Sequence, residues 1–343
     1  MVKKILVVDD SALMRRLVCD IINSDERFHV EKLAHDGEEA FQILQTTSFD
    51  AVVLDVNMPK LNGLGLLKKL QDRHIKARVM MFSSVTADGS KETIEALELG
   101  AVDFIKKPDN VGLADNDFKK RFMEILAITA GIRVHMHTGP IAVRKTSITL
   151  GGEKLVALAS STGGPKALQQ VIPLLPANLN APMLVVQHMP PVFTKSLAER
   201  LDSLSKIKVK EAEDGDVIEK GCVYIAAGGR HMKAGKIGGR MKIYYSDEPT
   251  REGVRPAANY MYESLMDSPY SEICCTVLTG MGADGTAGIK NLEQKKKIYV
   301  IAQDEASSAV YGMPRAIAQT GLVNEILPLN KIADAITKDV GVR

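Results

Sequence analysis

Residues 155–165 read LVALASSTGGP. An apolar run suits a strand buried on both faces of a parallel sheet, and Ser160, Ser161, Thr162, Gly163 and Gly164 then break it. Pro165 follows, and proline belongs at the first position of a helix. Strand, turn and helix make one arm of a βαβ unit, so this half of the chain is read as an α/β domain. The turn itself has three open uses. Ser161 or Thr162 can cap the helix, the glycines can cradle a phosphate, or a serine can act as a nucleophile.

Outward from this turn the alternation continues, with strands expected near 154–159, 183–187, 222–226, 274–279 and 298–302. Two further motifs follow strands. MLVVQHMPP (183–191) places His188 after one strand, and CTVLTGMGADG (275–285) follows another with a glycine turn ending at Asp284. A serine, a histidine and an aspartate beyond three strand ends suit acyl transfer. A hydroxyl is a poor nucleophile until an imidazole takes its proton, and a carboxylate fixes the imidazole tautomer. Each residue also has a plain structural reading: a helix cap for Ser161, a satisfied core histidine for His188, a turn for Asp284-Gly285. A dinucleotide site is disfavoured, because G-x-G-x-x-G is absent and His188, not an acid, ends the next strand.

The first 130 residues show the same rhythm, with strands expected at 4–8, 30–34, 51–54, 78–82 and 102–105 and a helical pattern at 91–99 ending at Gly100. This predicts a five-stranded, doubly wound parallel sheet. Its strand ends carry Asp9-Asp10, Asp55, Ser83-Ser84 and Lys106-Lys107-Pro108. Three converging carboxylates raise one another's pKa, a cost that Mg²⁺ removes, and a lysine and a hydroxyl complete a phosphoryl site with Asp55 as nucleophile. Between the halves the rhythm breaks in IRVHMHTGPIAVRKTSITLGGE (132–153), which is basic until Glu153 and has no clear period. The expected organisation is 1–130, a linker at 131–152, and 153–343.

Bulk properties narrow the function. The 343 residues are 45% hydrophobic and 25% charged with a formal net charge of +2. Neither half has the basic excess of a nucleic-acid-binding domain. No apolar stretch reaches the ~18 residues of a membrane span, and the N-terminus lacks a signal peptide, so a cytoplasmic protein is expected. Cys19, Cys222, Cys274 and Cys275 form no zinc set or disulfide framework.

The motifs ILVVDDS (5–11), DAVVLDVNMPKLNGL (50–64) and GAVDFIKKP (100–108) resemble the receiver domains of two-component response regulators. The resemblance implies a flavodoxin-like fold, phosphorylation of Asp55, and Mg²⁺ held by Asp9, Asp10 and Asp55. It makes Ser83 and Phe104 the switch pair and Lys107 the phosphoryl-pairing lysine, with Lys106 its rival. The second half is similar to the catalytic domain of bacterial chemotaxis protein-glutamate methylesterases. SSTGGP, VVQHMPPVFTKSLAERLD, VYIAAGGRHM, VLTGMGADGTAG and AQDEASSAVYGMPRAIAQTG carry that similarity. It implies a Rossmann-like α/β catalytic domain with Ser161 as nucleophile, His188 as base and Asp284 as orienting carboxylate, with Ser160 the adjacent rival. Thr162, Gly163 and the Met281 amide are implied as support for the oxyanion.

The implied reaction is hydrolysis of glutamate methyl esters on methyl-accepting chemoreceptors, with methanol released, and deamidation of receptor glutamines. The implied phosphodonor is the chemotaxis histidine kinase, and the unphosphorylated receiver is expected to restrain the esterase. The esterase reaction calls for no cofactor. One stretch departs from the pattern: VRPAANYMYESL (254–265) has Ala257 and Asn259 where serine and aspartate are expected, and His231 is read as structural. A non-catalytic, phosphorylation-gated binding regulator is the alternative; a helix-turn-helix output, however, is all-helical and basic.

Overall fold

Strands rich in Val, Ile and Leu, separated by helices that cover both sheet faces, recur in each half, and each half folds around its own parallel sheet. The computed structural model describes residues 2–84, 86–108, 115–132, 143–144 and 151–343 and divides into two compact units, Met1–His135 and Met136–Arg343. Most of the linker expected at 131–152 lies outside the described residues.

The first unit runs β1 (Lys3–Val8), α1 (Ala12–Asn23), β2 (Phe28–Ala34), α2 (Gly37–Thr46), β3 (Ala51–Asp55), α3 (Gly63–Asp72), β4 (Val79–Ser83), α4 (Ala87–Glu98), β5 (Asp103–Lys106) and α5 (Asn116–Thr129). Its five strands are parallel in the order β2-β1-β3-β4-β5. Side-chain oxygens start the helices where the sequence offers them: Ser11 caps α1, Asp36 α2, Asn62 α3 and Asp115 α5. Ile5, Val7, Val53, Met80 and Phe82 pack against Val18, Ile22, Phe122 and Ile125 to fill one face.

The second unit continues with β6 (Lys154–Ser160), α6 (Gly164–Val171), β7 (Met183–Gln187), α7 (Phe193–Leu204), β8 (Lys208–Glu211), β9 (Cys222–Ile225), β10 (His231–Ile237) and β11 (Arg240–Ser246). It is completed by α8 (Ala258–Ser264), β12 (Glu272–Val277), α9 (Thr286–Glu293), β13 (Lys297–Gln303), α10 (Met313–Ala318), β14 (Glu325–Leu327) and α11 (Leu329–Val340). A seven-stranded sheet has the order β14-β13-β12-β6-β7-β9-β8, parallel throughout. Tyr262 of α8 is fully buried over β6 and β12, its hydroxyl within reach of the Ala157 and Thr276 carbonyls at 3.2 and 3.1 Å.

The strand expected at 274–279 starts and ends two residues earlier, at Glu272 and Val277. Thr279 therefore lies in the turn and not in the strand. The edge strands β8 and β14 and the β10–β11 hairpin were not anticipated. The hairpin did carry a signal: Met232 and Ala234 alternate with partly exposed Lys233 and Gly235, and Gly238-Gly239 makes the turn. At the opposite sheet end from the strand-end motifs, Lys154 of β6 reaches Asp339 of α11 at 2.8 Å and also pairs with Glu272 of β12. All three are buried.

Candidate active site and phosphoryl site

In the first unit the chain reverses direction across the sheet between β1 and β3, the switch point at which such sheets gather functional groups. Asp9 follows β1 and Asp55 ends β3. Both are almost fully buried, at 1% and 2% exposure, whereas Asp10 is exposed. One oxygen from each of the three lies within 4.8 Å of the others. Lys107 closes the group, with Nζ at 2.7 Å from Asp9 Oδ2 and 2.7 Å from Asp55 Oδ2. Burial pushes the Asp55 carboxyl up to about 6, against the pull of Lys107 and with a further push from Asp9.

One lysine against three carboxylates leaves negative charge at this edge, and a hard divalent cation with oxygen ligands suits it. Ser83 ends β4 fully buried, with Oγ 2.9 Å from Thr93 Oγ1. Phe104 is buried in β5. Thr93 was not picked out by sequence; on α4 it has no motif to mark it.

The second unit has its own switch point between β6 and β12, because the chain leaves β6 toward β7 and returns through β12 toward β13. Ser161, His188 and Asp284 all follow strands at this end. His188 Nε2 lies 2.7 Å from Asp284 Oδ2, with both side chains 3% exposed. Asp284 also accepts from the amides of Ala258 at 2.6 Å and Asn259 at 3.0 Å. Burial works to raise this carboxyl, but His188 and the two amides outweigh it and hold Asp284 below the usual carboxylate range. A carboxylate only accepts, so the neutral ring carries its proton on Nε2 and its lone pair on Nδ1.

Ser161 sits beside this pair through its backbone neighbours. The His188 amide donates to the Ser160 carbonyl at 3.1 Å, and the Ser161 amide donates to the Thr279 carbonyl at 3.0 Å. Among the described residues no hydrogen bond joins Ser161 Oγ to His188, whose Nε2 is taken by Asp284. The capping role does not arise: α6 starts at a left-handed Gly163 (φ +74°) with no side-chain cap. The Ser160 hydroxyl is engaged, donating to Gln187 Oε1 at 2.7 Å from a fully buried position. A Cβ on Gly164 would stand 2.0 Å from that same Oε1, so a side chain there would displace the buried Gln187 amide.

The remaining sequence candidates also have places. Among the described residues the amides of Thr162, Gly163 and Met281 donate no hydrogen bond, whereas the amides of Ser161, Gly164 and Gly280 around them do. Asn259 is fully buried, with Oδ1 accepting from Gly285 and Gly288 at 3.1 and 2.6 Å and Nδ2 donating to Glu252 at 2.9 Å. It thereby anchors the start of α9 just beyond Asp284. Gln187 and Thr279 are two further polar residues that sequence reading passed over.

His231 is fully buried, with Nδ1 accepting from the Ala257 amide at 3.0 Å and Nε2 donating to the Pro249 carbonyl at 3.2 Å. Burial, then the nearby Arg255 charge, holds its pKa below the free value. The native state therefore resists protonation. Its contribution to stability is complete above the unfolded pKa of about 6.5 and is lost as pH falls through that value toward the folded one. His231→Gln should flatten the loss of melting temperature between pH 7.5 and 5; parallel curves for the variant and the parent would refute this.

The family model described as CheB methylesterase matches residues 156–336, and the one described as response regulator receiver domain matches 5–114. The protein-glutamate methylesterase/protein-glutamine glutaminase 1 of Syntrophomonas wolfei is 42% identical, over 97% of this chain and 98% of its own length. A protein of Pyrococcus abyssi with the same name, without the numeral, is 41% identical over 98% of this chain and 93% of its own. The crystal structure of the Thermotoga maritima CheB methylesterase catalytic domain is 40% identical, covers 55% of this chain and 99% of that domain, and superposes with a TM-score of 0.52. The chain belongs to the CheB methylesterase family, the protein-glutamate methylesterases/protein-glutamine glutaminases of chemotaxis, with a response regulator receiver domain ahead of the hydrolase domain.

Proposed function

We propose that Ser161, His188 and Asp284 form the catalytic triad of a hydrolase acting on glutamate γ-methyl esters of chemoreceptors, and on receptor glutamines. The buried His188–Asp284 pair beside an uncapped serine carries this reading. Ser161 Oγ attacks the γ-carbonyl carbon while its proton passes to His188 Nδ1. Asp284 steadies the imidazolium through Nε2–H. The amides of Thr162, Gly163 and Met281 receive the oxyanion. Collapse breaks the bond to methoxide, which takes the proton from His188 and leaves as methanol. Water then gives a proton to His188 and attacks the acyl-enzyme, and Ser161 departs with that proton to leave glutamate. With a glutamine substrate the leaving group is ammonia.

The receiver spans 1–130 and the hydrolase 153–343. A chemotaxis histidine kinase supplies the phosphoryl group, and the substrates place the enzyme at receptor arrays in the cytoplasm. Among the described residues no helix is long and apolar enough to cross a membrane. Asp55 takes the phosphoryl group, Asp9, Asp10 and Asp55 hold Mg²⁺, and Lys107 pairs with the phosphoryl oxygens. The bound cation supplies positive charge to the incoming phosphate. Ser83 and Phe104 move in response and release the restrained hydrolase.

Methanol release from methylated receptor membranes, with and without acetyl phosphate and Mg²⁺, tests the reading. Stimulation by the phosphodonor supports it. Asp55→Asn should keep the basal rate and lose the stimulation. A variant stimulated as well as the parent would remove Asp55 from the phosphoryl role.

A further inference from the structure

Among the described residues, three backbone amides near Ser161 donate no hydrogen bond, and each belongs to a peptide plane whose carbonyl is held on the other side. The Ser161 carbonyl, in the plane with the Thr162 amide, accepts from Gln187 Nε2 at 3.0 Å and the Gly164 amide at 2.7 Å. The Thr162 carbonyl, in the plane with the Gly163 amide, accepts from Thr279 Oγ1 at 2.9 Å. The Gly280 carbonyl, in the plane with the Met281 amide, accepts from the amides of Gly312 and Met313 at 3.0 and 2.8 Å. A trans peptide is planar with its C=O and N–H on opposite edges, so fixing one direction fixes the other. Two of the three planes are held by a buried side chain, Gln187 or Thr279.

Thr279 holds more than one plane. It is 1% exposed. Its hydroxyl also accepts from the Val310 amide at 2.9 Å, and its own amide donates to Gln303 Oε1 at 2.8 Å. The Val310 carbonyl in turn accepts from the Gly280 amide at 3.0 Å. One threonine thus ties the turns after β6 and β12 to the loop after β13.

We propose that Thr279, with Gln187, is a positioning residue that aims the oxyanion-binding amides. This rests on the hydrolase reading above. Such a residue acts where the carbonyl oxygen becomes an anion, so its loss lowers kcat and leaves substrate binding nearly intact. Valine in place of Thr279 keeps the shape and removes the oxygen. It leaves the Thr162 peptide free to tilt, and small misplacements of this kind cost about 10–100-fold in rate.

The test is steady-state methanol release from methylated receptor membranes at varied receptor concentration, using the full chain. Thr279→Val should lower kcat about 10–100-fold with KM within about threefold, and Thr279→Ser should stay within about threefold of the parent in both. Parent-like kcat in the valine variant, a change in KM alone, or equal losses in the valine and serine variants would overturn the proposal. Gln187→Met provides a second reading if Thr279→Val does not fold: a loss confined to kcat supports the proposal, and an unchanged kcat overturns it. Ser161→Ala, run alongside, separates the two levels. Hydrolysis surviving that change removes Ser161 as the nucleophile and with it the site these amides would serve, whereas a Ser161-dependent reaction indifferent to Thr279 and Gln187 removes only their role.

Discussion

Ser161→Ala is expected to lower methanol release from methylated receptors by about 10⁴-fold or more, with the fold and receptor binding unchanged. Serine hydrolases lose roughly this much when the nucleophile goes, because the remaining groups stabilise an attack that no longer has an attacker. No neighbour fits the vacancy. Ser160 sits inside the protein with its hydroxyl committed to Gln187. The Ser161 side chain has no structural task to confound the result, since α6 begins without a side-chain cap and the Ser161 amide bond to Thr279 is backbone. A variant that keeps more than about one-tenth of the parent rate would mean that another group attacks.

Asp284→Asn should cost nearly as much, about 10³–10⁴-fold in kcat. An asparagine that turns its NH₂ toward His188 opposes the Nε2 proton and favours the wrong tautomer, the one that protonates Nδ1 and leaves no base for Ser161. If it turns its oxygen toward His188 instead, the NH₂ faces the Asn259 amide, donor against donor. Both orientations fail on one side, and neither supplies negative charge to the imidazolium. Purified variant and parent should have similar far-UV spectra and receptor affinity, so the deficit falls on kcat. A loss below about tenfold would show that the carboxylate only braces the loop.

Much of this was legible in the sequence because parallel sheets place chemistry at one edge. Asp9, Asp55 and Lys107 are far apart in the chain, yet each ends or follows an apolar run, and the fold brings all three together. The same logic located His188 and Asp284 and singled out the SSTGGP turn. Polar residues that act through geometry were not legible. Thr279 stood inside an expected strand, and only its true place in the turn lets one hydroxyl serve the loops of three strands. Gln187 ends a buried strand, where periodicity marks it as an exception without saying what it touches. Asn259 stood out only as a departure from the family pattern. In the fold it is an anchor for α9, and its backbone helps hold Asp284. The tautomer of His188 also depends on which ring nitrogen meets the carboxylate, and spacing alone does not encode that.

The sheet order has a consequence for how the molecule is made. β6 opens the hydrolase domain in the chain but lies at the middle of the seven strands, flanked by β7 on one side and β12 on the other. Ser161 and His188 leave the ribosome long before Asp284. A chain stopped short of Asp284 holds Ser161 and His188 without the carboxylate that pairs with the His188 ring. Lys154 makes the dependence longer still: Glu272 is one of its two buried partners, and the other, Asp339, lies in the last helix, so the buried group is complete only when that helix docks. The receiver is synthesised first and folds on its own sheet, as N-terminal domains do during translation. Each new molecule therefore holds its control element before it holds an activity to be controlled.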